Sequence, residues 1–153
     1  MKEKFFITFL IVLFGGMNIT AQNNVFEKLS NTKDISTVFI SKSLLNMMPS
    51  VDMGGKNIKV LSDKLEQMEI YKGSDKSARK AMNSEIKNLS KDKLYENLMT
   101  VKEDKKQVIF YAQKDKENFK DLVMYINKAD ESVIIRIIGD FTAKDIQDVI
   151  DKN

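Results

Sequence analysis

The stretch Asp130–Val149, DESVIIRIIGDFTAKDIQDV, decides the fold. Within it, Val133-Ile134-Ile135-Arg136-Ile137-Ile138 is almost entirely β-branched, and such side chains favour extended backbone. The run is apolar on both faces, which predicts a strand near the centre of a sheet. Gly139-Asp140-Phe141 leads out of it. Thr142 and Asp145 then have the spacing of a capping box, in which the threonine hydroxyl accepts from an amide one turn on and the aspartate reaches back. Ile146, Val149 and Ile150 fall on one side of the helix that should follow.

The segments before this stretch read as a meander. Tyr95–Val101 alternates, with Tyr95, Met99 and Val101 expected on one face. Glu103–Lys106 supplies a charged turn. Gln107–Ala112 returns, with Val108 and Phe110 on one face and Ile109 and Tyr111 on the other. Lys114–Glu117 is a second charged turn, and Phe119–Ile126 pairs with Val133–Ile138 across Asn127–Asp130. Strands joined by short polar turns pair antiparallel.

The N-terminal half mixes helix and strand. Val25, Phe26 and Leu29 allow one helical turn, and Thr37-Val38-Phe39-Ile40 predicts a first strand. Ser41 can cap a helix whose Leu44, Leu45 and Met48 share one side, and Pro49 ends it. Ser50–Lys56 reads as a loop. Ile58, Leu61 and Leu65 repeat at helical spacing, so a second helix is expected there, followed by a short strand over Met68–Lys72. Gly73-Ser74-Asp75 turns into a helix whose Ala78, Met82, Ile86 and Leu89 form one apolar stripe. The expected fold is α+β: an antiparallel sheet, made of a C-terminal four-strand meander plus one or two N-terminal strands, with amphipathic helices packed mainly on one face.

The first residues address the compartment. Lys2 and Lys4 precede a predominantly apolar run, Phe5–Phe14, and Ile19-Thr20-Ala21 ends on a small residue. That is the layout of a secretory signal cut between Ala21 and Gln22. A membrane span needs about 20 apolar residues, and this run is much shorter. The expected organisation is a signal peptide over residues 1–21 and one domain over 22–153, periplasmic or extracellular. The chain has no cysteine, so no lipid-modified cysteine can follow the cut, and no disulfide can brace the fold. A net charge of +3, spread over interleaved lysines and carboxylates, gives no reason to expect nucleic acid as a partner.

Three segments carry a resemblance: FISKSLLNMMP (Phe39–Pro49), YENLMTVK (Tyr95–Lys102) with the following EDKKQVIFYA, and Asp130–Val149. Together they resemble the exported bacterial family catalogued as domain of unknown function 4252. The resemblance implies a small exported α+β domain typical of Bacteroidota, brings no catalytic or ligand residues, and hints at envelope sensing or regulation.

The residue inventory narrows the chemistry. There is no histidine, the commonest general base near neutral pH, and no cysteine, so triads and thiolate metal sites are excluded. Ser-x-x-Lys occurs at Ser30/Lys33, Ser77/Lys80, Ser84/Lys87 and Ser90/Lys93, as a lysine-rich chain produces by chance, without the companion motifs of penicillin-binding enzymes. Gly54-Gly55-Lys56 resembles the end of a phosphate loop, but Ser50 and Asn57 stand where that loop needs a glycine and a hydroxyl. The carboxylates gather at turns, where they are solvated.

Two features invite a binding role. Met47, Met48 and Met53 could offer thioethers to Cu(I), but methionine is more often adaptable core filler, and Met48 is expected in the core beside Leu44 and Leu45. Met47 and Met53 could instead form an apolar rim for a partner or lipid. Arg136 shares a face with Ile134 and Ile138. It reads either as an exposed arginine on an open sheet face, able to pair with a cross-strand carboxylate such as Asp121, or as an anchor for a partner's carboxylate. The resulting expectation is an exported, non-enzymatic interaction module with no cofactor, no metal and no catalytic residue, whose possible partner-binding residues are Arg136, Met47 and Met53. The alternative is a periplasmic carrier of an apolar or lipid ligand.

Overall fold

The computed structural model describes residues 24–48, 52–53, 56–57 and 63–151. The expected leader and the Ile58–Leu61 part of the expected second helix lie outside them. The elements are α1 (Asn24–Ser30), β1 (Ile35–Ser41), α2 (Lys42–Met47), β2 (Asp52–Met53), β3 (Lys56–Asn57), β4 (Leu65–Gly73), α3 (Lys76–Leu89), β5 (Tyr95–Glu103), β6 (Lys106–Asp115), β7 (Asn118–Lys128), β8 (Ser132–Phe141) and α4 (Ala143–Asp151).

The β-branched run of β8 lies inside the sheet, as its sequence requires. The six-stranded order is β1-β4-β8-β7-β6-β5, antiparallel throughout. Ile134 lies between Tyr71 of β4 and Tyr125 of β7, and Ile135 between Ile70 and Met124. The α+β class holds, with the β5–β8 meander extended by two N-terminal strands. β2 and β3 form a separate two-residue ladder, Asp52 with Asn57 and Met53 with Lys56, inside the segment the sequence reads as loop.

Each sheet face has its own core. On one face, Phe26 and Leu29 of α1 and Ala78, Met82, Ile86 and Leu89 of α3 pack against Tyr71, Tyr111, Val123, Tyr125 and Ile134. The stripe on α3 places all four of its apolar residues in this layer, and burying each large one contributes about 2 kcal/mol. On the other face Leu45 of α2 and Ile146 of α4 join Ile40, Leu65, Met68, Phe110, Leu122, Ile135, Ile137 and Phe141. The longest helix, α3, and α1 thus share the first face, and the shorter cover of α2 and α4 lies on the second.

Three expectations are corrected, each for a local reason. Leu65 opens β4 instead of belonging to a helix. A register shift between Leu65 and Gln67 puts Leu65 and Met68, three residues apart, into the same core, so the bulge imitates helical spacing. A second shift, between Asn97 and Met99, sends Tyr95 to the α3 face and Met99 to the opposite face, where strict alternation would keep them together. Leu44 and Met48 are exposed, and Leu45 alone of the three is buried. A six-residue helix makes under two turns and offers the sheet only a short contact.

Two of the three predicted helix starts have a side-chain cap, while Asp75, before α3, makes none. The Ser41 hydroxyl accepts from the Leu44 amide at 3.5 Å. The Thr142 hydroxyl accepts from the Asp145 amide at 3.2 Å, while the Thr142 amide donates back to the Asp145 carboxylate at 2.7 Å. Lys64, just before β4, adds an ion pair to that carboxylate at 2.6 Å and ties α4 to the sheet.

Candidate functional site

Two features stand out on this frame: a charge cluster sunk into the α1/α3 face, and an apolar corner where β1 meets α2. The cluster follows from strand register. Glu69 on β4 and Val123 on β7 sit directly opposite Arg136 on β8, and Asp121 lies two residues from Val123 on the same face. The sequence-level pairing of Arg136 with Asp121 is present. Nε and Nη2 of Arg136 donate to Oδ2 of Asp121 at 2.9 and 2.7 Å, and Nη1 donates to Glu69 at 3.3 Å. The Tyr95 hydroxyl donates to Asp121 at 2.7 Å, the Tyr71 hydroxyl donates to Glu69 at 2.6 Å, and Gln67 also donates to Glu69.

The reading of Arg136 as an exposed arginine is corrected. Its side chain is 13 % exposed. The guanidinium is capped by the Phe26 ring of α1, 4.0 Å from its centroid, a cation–π contact that spares the charge from open water. Burial pulls the arginine toward losing its proton, but Asp121 and Glu69 outweigh it and hold the group charged. Burial, reinforced by the neighbouring carboxylate, pushes Tyr71 and Tyr95 well above the usual phenol range. These hydroxyls therefore act as donors, not as bases. An open depression of roughly 430 Å³ lies over the cluster, bordered by Phe26, Gln67, Glu69, Tyr71, Arg136 and Ile138. Arg136 has three of its donors committed inside the molecule, which leaves it a poor anchor for a partner's carboxylate.

The second feature is on the surface. Val38 and Phe39 of β1 and Leu44 and Met47 of α2 are exposed apolar side chains on consecutive elements; Phe39 is 61 % and Met47 75 % exposed. Met48 follows them, also exposed. The backbone of Met53 belongs to β2, and its side chain lies outside the described residues. Met47 and Arg136 are not brought together: Arg136 lies under Phe26, whereas the buried residue of α2, Leu45, enters the opposite core. Val38 and Phe39 are absent from the sequence-level candidates. Their signal is the composition of β1, ISTVFIS, which has no charge and no proline.

Of the remaining candidates, Ser30 borders the depression over the charge cluster. The Ser30 and Ser90 hydroxyls donate to the carbonyls of Glu27 and Lys87. Among the described residues no three or more His, Cys, Asp or Glu are grouped to hold a metal ion, and no helix is long and apolar enough to cross a membrane.

The fold and its surface define a small antiparallel α+β domain with a buried ion cluster and a sheet edge, β1, that no other strand covers among the described residues. Residues 26–149 match the model of a domain of unknown function (DUF4252), and the chain belongs to that family. No curated protein and no solved structure matches it.

Proposed function

We propose that this protein is an exported, non-enzymatic interaction module that binds an envelope protein through the β1–α2 corner. One observation carries the reading: Val38, Phe39, Leu44 and Met47, on two consecutive elements, all present apolar side chains to solvent. Apolar residues scattered singly are normal on a surface, but here four fall within ten residues, with Phe39 on the α1/α3 side of the sheet and Val38 on the other, so they flank one strand edge on both sides, where a partner would remove them from water. Export rests on the leader-like Met1–Ala21, and the absence of enzymatic activity on the missing histidine and cysteine. A role in envelope sensing or regulation fits a module of this kind. Between the sheet and α3, Met82, Tyr125 and Ile134 are fully buried and fill the layer, which favours surface contact over carriage of an apolar or lipid ligand.

The test is comparative capture from envelope extract. A protein enriched by the wild-type chain should be lost with Met47→Lys and retained with Lys144→Glu, a charge change on exposed α4. Equal capture by all three baits refutes the corner as the binding surface. Copurified lipid in native mass spectrometry would support the carrier instead.

A further inference from the structure

The two edges of the sheet are built differently. β5, the last strand in the order, carries Glu96, Lys102 and Glu103 and a register shift between Asn97 and Met99. Charges and bulges of this kind keep an edge from pairing with other chains. β1, at the other end, has neither: Ile35–Ser41 is uncharged, and its register with β4 runs without interruption from Ile35 opposite Gly73 to Ser41 opposite Gln67. Among the described residues no strand lies on its outer side. A strand so exposed offers a row of amides and carbonyls to another strand.

We propose that β1 pairs antiparallel with β1 of a second copy of this chain, about a two-fold axis through Val38, joining two six-stranded sheets. This names the partner at the corner described above and rests on that reading. The register follows from the charges flanking the strand. With Val38 facing Val38, Thr37 faces Phe39, Ser36 faces Ile40 and Ile35 faces Ser41. The residues that flank the strand, Asp34 in the turn before it and Lys42 at the start of α2, then come to the same two ends of the pair, so each end brings together one charge of either sign. No like charges meet.

The hydrogen bonds agree. In an antiparallel pair, residues directly opposite either both exchange backbone bonds or both do not. Val38 at the axis sets even-numbered residues against even and odd against odd, so the outward amides of one edge meet the outward carbonyls of the other. A slip by one residue breaks this match and turns the side chains to the wrong faces. An interface built on one patch facing itself is the usual form of a two-fold dimer.

The absence of cysteine makes the register directly testable. Purified Val38→Cys, oxidised with diamide, should form a disulfide dimer, because residues facing each other across strands have Cβ atoms about 5 Å apart. Thr37→Cys and Phe39→Cys should each crosslink poorly alone and readily when mixed. Sedimentation equilibrium of the wild-type chain should show a mass rising with concentration toward twice that of the monomer. Val38→Lys, which sets two ammonium groups face to face, should weaken association roughly tenfold. Circular dichroism should show its fold intact, since Val38 is exposed on an edge.

A mass that stays monomeric up to about 1 mM overturns the proposal. So does Thr37→Cys linking to itself as fast as Val38→Cys. A monomer whose β1 amides gain protection only on adding a captured envelope protein also overturns it, while leaving the interaction reading in place with a different occupant.

Discussion

Replacing Arg136 with methionine keeps a long apolar stem beneath Phe26 and removes the guanidinium. Asp121 then loses hydrogen bonds of 2.9 and 2.7 Å, keeping the Tyr95 hydroxyl. Glu69 loses one of 3.3 Å and keeps Tyr71 and Gln67. The side chain of Asp121 is only 6 % exposed, so water cannot replace what is lost. Leaving a buried charge without its partner costs about 3–5 kcal/mol. The lost cation–π contact adds up to about 1 kcal/mol, offset in part by the methionine sulfur on the ring. We expect a loss of about 4 kcal/mol, a large share of the roughly 5–15 kcal/mol that holds a domain folded. Removing Asp121 as well is gentler: in the double variant Asp121→Leu/Arg136→Met only Glu69 lacks its cation, and it keeps the Tyr71 and Gln67 donors. It should lie within about 2 kcal/mol of wild type. Urea unfolding of the wild type, both single variants and the double variant measures the whole cycle. A loss below about 1 kcal/mol for Arg136→Met, or a coupling near zero, refutes the structural role of the arginine.

Gly139→Ala should be among the costliest small changes, at about 3 kcal/mol in urea, because a Cβ there meets the Lys64 carbonyl oxygen at 2.2 Å and the Phe141 ring at 2.4 Å. A loss under about 0.5 kcal/mol would mean that β8 and the Lys64 segment do not approach this closely. Lys64 and the Thr142 groups outweigh burial and hold the Asp145 carboxyl down at about 2, below its unfolded value of 3.8. Its contribution is therefore present above pH 4 and fades as pH falls toward 2. Asp145→Asn should cost about 1 kcal/mol at pH 7 and nothing near pH 2, as read by urea midpoints at both pH values. All four tyrosines are pushed above the usual phenol range, with burial the leading cause in each. The unfolded chain loses its phenolic protons first, so stability falls as pH rises beyond 10. Absorbance at 295 nm should rise together with loss of near-ultraviolet dichroism. A phenolate signal at pH 10 in a chain that is still folded would contradict this.

The sequence carried the frame because each strand of the meander is written in local alternation, and the β-branched Val133–Ile138 run has only one comfortable place, inside the sheet. It carried half of the charge cluster for the same reason: Asp121 and Arg136 belong to neighbouring strands, which makes Asp121 a cross-strand carboxylate within reach of the arginine. Glu69 and Phe26 were hidden. Their closeness to Arg136 depends on β4 being the other neighbour of β8 and on α1 folding back over the sheet, neither of which a local pattern encodes. The bulge at Asn97/Met99 hides which face Tyr95 and Met99 take, since one extra residue shifts every later side chain by one position. The bare composition of β1 was visible from the start. Its meaning was not, because an uncharged strand is ordinary in the middle of a sheet and exceptional at its edge.

Amide hydrogen exchange across β1, followed by mass spectrometry as chain concentration is raised, tests most directly the claim that this edge is the working surface. The account predicts that amides in Ser36–Ile40 slow with concentration while those of β5, the guarded edge, keep their rates. Exchange in β1 that is independent of concentration, and unchanged by any envelope protein the chain captures, would contradict it.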